Sequence, residues 1–336
     1  MERWLNSVWY GRAFGSVLLR PLSWLYALAV ALRRAAYAGG LRRATRLATP
    51  VVVVGNLTVG GTGKTPFVVW LVTQLAAAGH RPGVVSRGYG RRGDAPRLVD
   101  DGTSAAQGGD EPLLIRRRTG RPVAVGRQRP VAARLLETQN VDVIVADDGL
   151  QHLALARQCE LVLIDGARGF GNGLMLPAGP LRESAARLRS VDAVVMLDGT
   201  RELSLAGRPV FHMRLEADRV VPLGTRADTA LPLAQLAGQR VHAVAGIAHP
   251  ERFFRTLAAA GLEPLAHAFP DHHVFTAADF AFDDDLPILM TEKDAVKCAA
   301  FASPRLGYVP VTATFSDADT RALLALVGAK IAGTGH

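Results

Sequence analysis

The pattern of apolar and polar positions along the chain predicts strands and helices in alternation. Short apolar runs rich in β-branched residues are typical of strands buried on both faces of a parallel sheet. Such runs occupy residues 51–54, 123–126, 141–146, 160–165 and 191–197. Because helical stretches separate them, the pattern predicts an α/β fold with a doubly wound, mostly parallel sheet.

The pattern changes after residue 207. Alternating positions at 208–223 predict two connecting strands, with a smaller α/β domain beyond them. The elements of that domain are expected at 241–247, 250–261, 286–297 and 308–315, before a last helix that Ser316 caps. The predicted parts are an N-terminal segment (1–45), a larger domain (46–207), and the connector with the smaller domain (208–336).

The N-terminal segment is both apolar and basic. Residues 14–32 are apolar except for Arg20 and are interrupted by Pro21, so the unbroken part is shorter than the roughly 20 residues that span a bilayer. Aromatic rings that favour a membrane interface are supplied by Trp4, Trp9, Trp24 and Tyr26. With arginines on both sides, the run predicts a helix that associates with an anionic membrane surface without crossing it. An ordinary buried helix with solvated arginines is the alternative.

The net charge of +9 is concentrated in the same part of the chain. Eight arginines and one glutamate give residues 1–50 a charge of +7, which leaves +2 for the other 286 of the 336 residues. A basic groove along the body is therefore not expected, and nucleic acid is not a predicted partner. Cys159 and Cys298 lie far apart in no metal-binding pattern, which argues against a disulfide or zinc site and favours a reducing cytosol.

A glycine-rich loop joins the run at 51–54 to a helical stretch that ends at Gly79. Strand, loop and helix in this order predict a P-loop, in which backbone N–H groups and the helix N-terminus bind phosphate. Lys64 would reach the β- and γ-phosphates, and the Thr65 hydroxyl would ligate Mg²⁺. The nucleotide-binding set is Thr58, Gly60, Gly61, Thr62, Gly63, Lys64 and Thr65. Thr58 stands where the usual pattern has glycine, and a turn that binds nothing is the alternative.

Two adjacent carboxylates, Asp147 and Asp148, follow the run at 141–146. Because parallel strands end at the same edge of a sheet, both can approach the phosphates, and at least one can hold Mg²⁺. The fold class is therefore P-loop NTPase-like. Residues 86–107, rich in glycine and arginine, predict a hairpin near the nucleotide, which is either a lid or an inert surface hairpin.

Further loops carry groups suited to a second substrate. Asp110 precedes a helix and is either its N-cap or a carboxylate that accepts a hydroxyl proton. Arg182 offers a planar donor fork for phosphate, or forms a surface ion pair with Glu183. His272 and His273 are adjacent and point in different directions, so one of them is a candidate acid–base group, although a lone histidine is more often structural.

Seven blocks occur in order along the chain. They are GNLTVGGTGKTP (55–66), SRGYGR (86–91), GDEP (109–112), DDGLQH (147–152), GPLRE (179–183), FPDHH (269–273) and TEKDAVK (291–297). With the basic apolar N-terminus, they resemble the tetraacyldisaccharide 4′-kinase family of lipid A synthesis over nearly the whole chain. The resemblance implies transfer of the ATP γ-phosphate to the 4′-hydroxyl of a lipid-linked disaccharide 1-phosphate, which gives lipid IVA. It also implies a monotopic protein on the cytoplasmic face of the bacterial inner membrane.

The same resemblance implies roles for individual residues. Asp110 and His272 would form the pair that activates the acceptor hydroxyl, while Lys64, Mg²⁺ and Arg182 neutralise charge on the phosphate. Thr58 is usual in this family's P-loop, and His273 receives no role. The family's metal-side and nucleotide-loop residues match Asp147, Asp148, Gln151, Arg182 and Glu183.

Two other functions compete with this kinase. A membrane-attached P-loop GTPase or chaperone-type NTPase would carry an N-K-x-D tetrapeptide, whereas the nearest match, at 291–294, has Glu292 in place of asparagine. A nucleotide-binding regulator without chemistry would make the Asp110 and His272 clusters coincidental.

Overall fold

The computed structural model describes residues 2–11, 15–199, 203–224, 229–298, 301 and 303–333, without the side chains of residues 2 and 3. The strands are β1 (Val51–Asn56), β2 (Pro82–Ser86), β3 (Arg97–Val99), β4 (Val123–Val125), β5 (Val143–Ala146), β6 (Cys159–Asp165), β7 (Ala193–Leu197), β8 (Val210–Glu216), β9 (Arg219–Pro222), β10 (Leu231–Pro232), β11 (Arg240–Ala245), β12 (Glu263–Ala268), β13 (Ile288–Thr291), β14 (Leu306–Val309) and β15 (Thr312–Thr314). The α-helices are α1 (Glu2–Tyr10), α2 (Gly15–Ala38), α3 (Lys64–Ala77), α4 (Ala105–Gly108), α5 (Asp110–Thr119), α6 (Arg129–Glu137), α7 (Pro250–Ala259), α8 (Glu292–Ala295) and α9 (Asp317–Ala332).

Within these residues a large sheet of nine strands has the order β15-β8-β7-β6-β1-β5-β2-β4-β3. Its strands are parallel except β3 and β15, the antiparallel strands at its two edges. Residues of α3, α5 and α9 pack on one face, and residues of α6 pack on the other. Strands covered on both faces need apolar side chains at successive positions, which is why the apolar runs mark them. The predicted doubly wound, mostly parallel sheet is confirmed.

A small sheet of six strands, counted over the same residues, has the order β10-β9-β14-β13-β11-β12. Helix α7 buries Phe253, Phe254 and Leu257 against it. The two connecting strands expected at 208–223 are present, but β8 belongs to the large sheet and β9 to the small one. Strand β15 and helix α9 also return to the large sheet. The division into sheets therefore differs from the predicted boundary at 207/208.

The prediction of a hairpin at residues 86–107 is wrong. Strand β3 pairs antiparallel with β4, through Leu98 and Ala124, and β4 lies between β3 and β2. A hairpin would pair β3 with the strand that precedes it. Instead β4, apolar throughout and reached only later in the chain, takes the place beside β2 and leaves β3 at the edge.

The sequence predicts an interruption at Pro21, but helix α2 continues through this residue. It runs for 24 residues and is long and apolar enough, by length and composition alone, to cross a membrane. Proline removes one backbone donor, here the partner of the Val17 carbonyl. Val17 is half exposed and lies in the first turn, so the helix continues past this single loss.

The two sides of α2 have different surroundings. On one side, Ser23 Oγ donates to the Met175 carbonyl at 2.7 Å and Tyr26 Oη donates to the Arg182 carbonyl at 3.0 Å. The other side presents an apolar stripe, defined here as the exposed residues Leu18, Leu22, Leu25, Leu28 and Leu32. Tyr26 and the buried Trp9, whose Nε1 donates to the Pro177 carbonyl, are therefore packing residues; Trp4 and Trp24 remain exposed.

Candidate active site

The P-loop follows β1, and its last glycine caps α3. Gly60 and Gly63 have φ of 113° and 77°, in the left-handed region where residues with a Cβ are strained. At Gly63 a Cβ would also lie 3.0 Å from Leu197 Cδ2. Lys64 Nζ donates to Asn56 Oδ1 at 3.1 Å, while Asn56 Nδ2 donates to the Thr58 carbonyl at 2.7 Å. The last residue of β1 thus holds both ends of the loop.

Thr58 needs no glycine because its backbone is extended. It forms an antiparallel bridge with Leu181, and the neighbouring Val59 N–H donates to the Pro180 carbonyl at 2.8 Å. An extended residue adopts a conformation open to any side chain. The departure from the common P-loop pattern therefore has a local structural reason.

The two adjacent carboxylates have opposite environments. Asp147 accepts a hydrogen bond from Ser86 Oγ at 3.0 Å, and its buried Oδ1 has no hydrogen-bond partner among the described residues. Burial, together with the nearby charges of Glu111 and Asp148, raises the pKa of Asp147 to about 7. An unpaired buried carboxylate oxygen beside a P-loop is the donor that Mg²⁺ prefers, and such an ion would relieve this repulsion.

Asp148 is held ionised by two cations. Arg182 Nη1 donates to its Oδ1 at 3.1 Å, and Lys64 Nζ lies 3.5 Å from the same oxygen. Burial acts to raise the pKa of Asp148, but Lys64 and Arg182 outweigh it and lower the pKa to about 2. The surface pair between Arg182 and Glu183, the alternative from sequence, is not formed.

Glu183 instead ties α2 to the P-loop strand. It is 3% exposed, and it accepts hydrogen bonds from Arg34 Nη1 at 2.8 Å and from Gln151 Nε2 at 3.2 Å. Gln151 Nε2 also donates to the Asn56 carbonyl at 3.1 Å. The amide nitrogen of Gln151 is therefore occupied in this chain of contacts, and its role as a metal ligand stays a prediction.

Asp110 and His272 meet although 162 residues separate them. Asp110 is the first residue of α5, and the N-cap of this helix is Gly109, so Asp110 is not the N-cap. His272 Nδ1 lies 3.1 Å from Asp110 Oδ2, and the His272 ring packs against Tyr89 with centroids 4.9 Å apart. His272 has φ of 60°, a strained conformation for a residue with a Cβ. The arrangement suits a carboxylate that orients an imidazole.

His273 turns away from this pair. Its Nε2 lies 3.3 Å from Asp279 Oδ2, and its ring packs edge-on against Phe275. These contacts belong to the packing of the smaller α/β part. The two histidines therefore point apart, as their adjacency in sequence suggested.

A cavity of about 1310 Å³ opens where these elements meet. The predicted site residues on its wall are Gly60, Gly61, Thr62, Gly63, Lys64, Thr65, Asp147, Asp148, Gln151, Arg182, Glu183 and His272. Thr58 and Asp110 lie behind this wall, at 7% and 8% exposure. Among the described residues, no group of three or more His, Cys, Asp or Glu side chains is placed to hold a metal. A Mg²⁺ ion here would need the Thr65 hydroxyl and phosphate oxygens beside the two aspartates.

Sequence reasoning missed several residues of this site. Ser86, Glu111, Asp271 and Lys293 line the cavity, and Asn56 holds Lys64. All five lie within the blocks that carry the family resemblance, and Asn56 also ends a buried strand directly before the P-loop. Membership of these blocks was the available signal, and Glu111 and Asp271 are also direct neighbours of Asp110 and His272.

The cavity also has a basic wall, formed by Arg33, Arg87, Arg129 and His152. Arg129 is 4% exposed, and within the part of the chain that the structure describes its Nε has no hydrogen-bond partner. Burial first, and then the charge of Arg129, lowers the pKa of His152 to about 4. A buried cation with a free donor is suited to bind an anion.

A P-loop between β1 and α3, with carboxylates at the end of the neighbouring β5, defines a P-loop nucleotide-binding enzyme. The same cavity is lined by His272, which contacts Asp110, and an imidazole–carboxylate pair is suited to acid–base chemistry. Comparison with known proteins gives the particular family. The family model described as tetraacyldisaccharide-1-P 4′-kinase matches residues 15–329.

Relatives and a solved structure agree with that match. A tetraacyldisaccharide 4′-kinase of Methylobacillus flagellatus is 48% identical over 96% of each chain, and one of Xanthomonas euvesicatoria is 52% identical over 91% of this chain and 90% of its own. The crystal structure of LpxK from Aquifex aeolicus in complex with ATP superposes with a TM-score of 0.79 at 26% identity, over 94% of this chain and 99% of that one. The chain therefore belongs to the tetraacyldisaccharide-1-P 4′-kinase family and is a kinase, and the resemblance seen in the sequence is confirmed.

Proposed function

We propose that this chain transfers the γ-phosphate of ATP to the 4′-hydroxyl of a tetraacyldisaccharide 1-phosphate and forms lipid IVA. The observation that carries the proposal is a single cavity walled by the P-loop on one side and by His272 on the other. Phosphoryl transfer requires a phosphate donor and an acceptor hydroxyl in line. A single cavity between the P-loop and His272 can hold the two substrates in that arrangement.

The P-loop side would hold ATP and Mg²⁺. Backbone N–H groups of residues 60–65 and Lys64 bind phosphates, and Thr65, Asp147 and Asp148 supply oxygen ligands for the ion. The unpartnered Oδ1 of Asp147 fits this role. Bound Mg²⁺ supplies charge neutralisation on the phosphates. Arg182, held at the wall by Asp148, adds a second positive charge.

The opposite side would activate the acceptor. A sugar hydroxyl is a weak nucleophile, so a group that takes its proton accelerates the attack. The Asp110–His272 pair has the contact that this role needs, with the imidazole at the wall and the carboxylate behind it. Thr58 supports the P-loop side from behind, and Glu183 supports it from the wall of the cavity.

The basic wall favours an acceptor that carries its own anionic group. Arg129 offers a free Nε–H in a buried position, and Arg87 lines the same cavity. The 1-phosphate of the disaccharide has the matching charge. We therefore assign this wall to the end of the acceptor that does not react.

We further propose that α2 lies in the cytoplasmic face of the bacterial inner membrane and does not cross it. One side of α2 hydrogen bonds the body through Ser23, Tyr26 and Arg34, so a position across the bilayer would carry these contacts into lipid. The apolar stripe faces away from the body, and the exposed Arg20 and Arg33 lie near its ends, where anionic headgroups would bind them. An acceptor anchored by acyl chains is reached from this position.

The test is a phosphorylation assay on purified full-length protein with labelled ATP, Mg²⁺ and tetraacyldisaccharide 1-phosphate. The expected product carries label at the 4′ position. ATP hydrolysis that does not depend on the acceptor would instead support a P-loop NTPase. Nucleotide binding without any turnover would support a non-catalytic regulator.

A further inference from the structure

Lys293 is a cavity residue for which the proposed chemistry has no use. It lies on α8, the short helix that follows β13. That helix is firmly placed, because the fully buried Asp294 accepts hydrogen bonds from the Gly246 N–H at 2.8 Å and from Thr291 Oγ1 at 2.6 Å. Lys297 Nζ lies 2.8 Å from the same carboxylate. The position of Lys293 is therefore fixed by contacts that do not involve its own side chain.

The ammonium group of Lys293 joins two carboxylates from different parts of the molecule. Its Nζ lies 3.2 Å from Asp271 Oδ1, in the loop after β12, and 3.3 Å from Glu111 Oε1, on α5. The side chain is 18% exposed. Burial acts to lower the pKa of Lys293, but Glu111 and Asp271 outweigh it and raise the pKa, so the group stays charged.

Each of these carboxylates is next in sequence to one member of the Asp110–His272 pair. Asp271 Oδ1 accepts a hydrogen bond from the backbone N–H of His272 at 3.0 Å, and so helps to fix the strained backbone of that residue. Glu111 follows Asp110 in the first turn of α5. The oxygen of Asp271 that binds Lys293 is the same atom that binds the His272 backbone.

A second ion pair holds α5 against α8 without Lys293. Arg118 Nη1 lies 2.8 Å from Glu292 Oε2, and Arg118 Nη2 donates to Thr312 Oγ1 at 3.1 Å. Both parts of the molecule thus remain joined when the Lys293 contacts are removed. The contacts of Lys293 act on the local geometry of the pair.

We propose that Lys293 is a positioning residue that holds the loop carrying His272 and the helix carrying Asp110 in the relative position at which these two side chains make contact. It does so by binding Asp271 and Glu111 at the same time. This inference rests on the proposed role of the Asp110–His272 pair. Arginine keeps the positive charge, and its guanidinium has several donors that can contact both carboxylates, whereas methionine fills similar space without charge.

The test compares Lys293→Met, Lys293→Arg and the control Lys330→Met by steady-state kinetics on full-length enzyme. Lys330 lies on α9, outside the cavity wall, and forms a comparable pair in which its Nζ lies 2.6 Å from Asp192 Oδ1. We expect Lys293→Met to lower kcat 10- to 100-fold with the KM for ATP changed less than twofold. Lys293→Arg should recover at least a third of kcat, and Lys330→Met should match the unsubstituted enzyme.

Asp110→Asn separates this inference from the proposal on which it depends. If Asp110→Asn keeps full turnover, the pair itself is wrongly assigned. If Asp110→Asn is inactive while Lys293→Met turns over normally, the positioning role of Lys293 is overturned. Should Lys293→Met fail to fold, Glu111→Gln and Asp271→Asn each remove the negative charge from one of the two contacts. Normal kcat in both variants would also overturn the role of Lys293.

Discussion

Asp147 and Asp148 show how far two neighbouring residues can differ. Both end the same strand region, yet burial raises the pKa of Asp147 to about 7, while Lys64 and Arg182 lower the pKa of Asp148 to about 2. The difference comes from side chains that approach from other elements. Both residues were predicted from the pattern of a buried strand followed by carboxylates, which carries no information on these partners.

The Asp110–His272 pair gives a prediction at the same scale. Asp110→Ala and His272→Ala should each lower kcat by about 10²- to 10⁴-fold, because proton removal from the acceptor is lost. ATP affinity, measured by titration calorimetry, should change little. His267→Ala, at a histidine outside the cavity wall, is the control and should keep full kcat. Weakened ATP binding with turnover retained in either variant would reverse the assignment.

Gly63 gives a second residue-scale prediction. Gly63→Ala should weaken ATP binding about tenfold or more, because it combines a φ of 77° with a Cβ only 3.0 Å from Leu197. Gly79→Ala is the matched control, since Gly79 has φ of 92° with nothing near its Cβ position. Its ATP affinity should be normal despite similar backbone strain. Equal losses in both variants would show that strain alone, and not P-loop geometry, was responsible.

At the scale of elements, sequence patterns predicted where strands and helices occur better than they predicted which elements pair with each other. The run at 51–54 and the following loop and helix are local features, and they appear as β1, the P-loop and α3. Strand β3 was assigned to a hairpin because nothing near it in sequence shows that β4 is its partner. The helix expected from the sequence is shorter than α2, because Pro21 counts there as a break although the apolar pattern continues on both sides of it.

The apolar stripe of α2 gives the prediction for an element. The double variant Leu18→Glu and Leu25→Glu should lose binding to vesicles of anionic lipid, because both side chains are exposed on the face turned from the body. Co-sedimentation with such vesicles measures it. Leu41→Glu, at a leucine 85% exposed beyond the end of α2, is the control and should bind as before. Unchanged binding of the double variant would exclude the stripe as the membrane contact.

At the scale of the whole molecule, the site depends on contacts between the large-sheet and small-sheet parts. The Asp110–His272 pair, the Lys293 contacts and the Arg118–Glu292 ion pair all bridge them. Another bridge lies beside the P-loop, where Arg252 Nη2 donates to Asp165 Oδ2 at 2.7 Å. The P-loop and the Asp110–His272 pair therefore come together only in the assembled molecule.

The stability of the assembled protein should depend on pH through three histidines. Burial is the first cause that lowers the pKa of His152 and His249 to about 4, and that lowers the pKa of His267. The unfolded chain, with histidine pKa near 6.5, therefore binds more protons than the folded protein below that pH. These three histidines should make stability fall as the pH decreases from about 6.5 toward 4, while the raised pKa of Asp147 opposes part of this loss.

Thermal unfolding in detergent at pH 7.5 and 5.0 measures this dependence. The unfolding midpoint should be lower at pH 5.0 than at pH 7.5. The variant His249→Gln should show a smaller difference between the two midpoints, because it removes one of the three histidines with a lowered pKa. A His80→Gln control, at a histidine of the surface pair with Asp142, should leave the difference unchanged. If His249→Gln leaves the pH dependence of the midpoint unchanged, the lowered pKa of His249 is contradicted.

The sequence by itself determined the order and type of the main elements, the P-loop, the carboxylates after β5 and the family, because these are written in short local patterns. It also placed Asp110 and His272 in one hypothesis through resemblance. Only the tertiary structure decided that Thr58 pairs with Leu181, that Glu183 binds Arg34, and that Lys293 joins two parts of the molecule. The Thr58–Leu181, Arg34–Glu183 and Glu111–Lys293 contacts each link residues more than 100 positions apart, and packing, not local pattern, selects such partners.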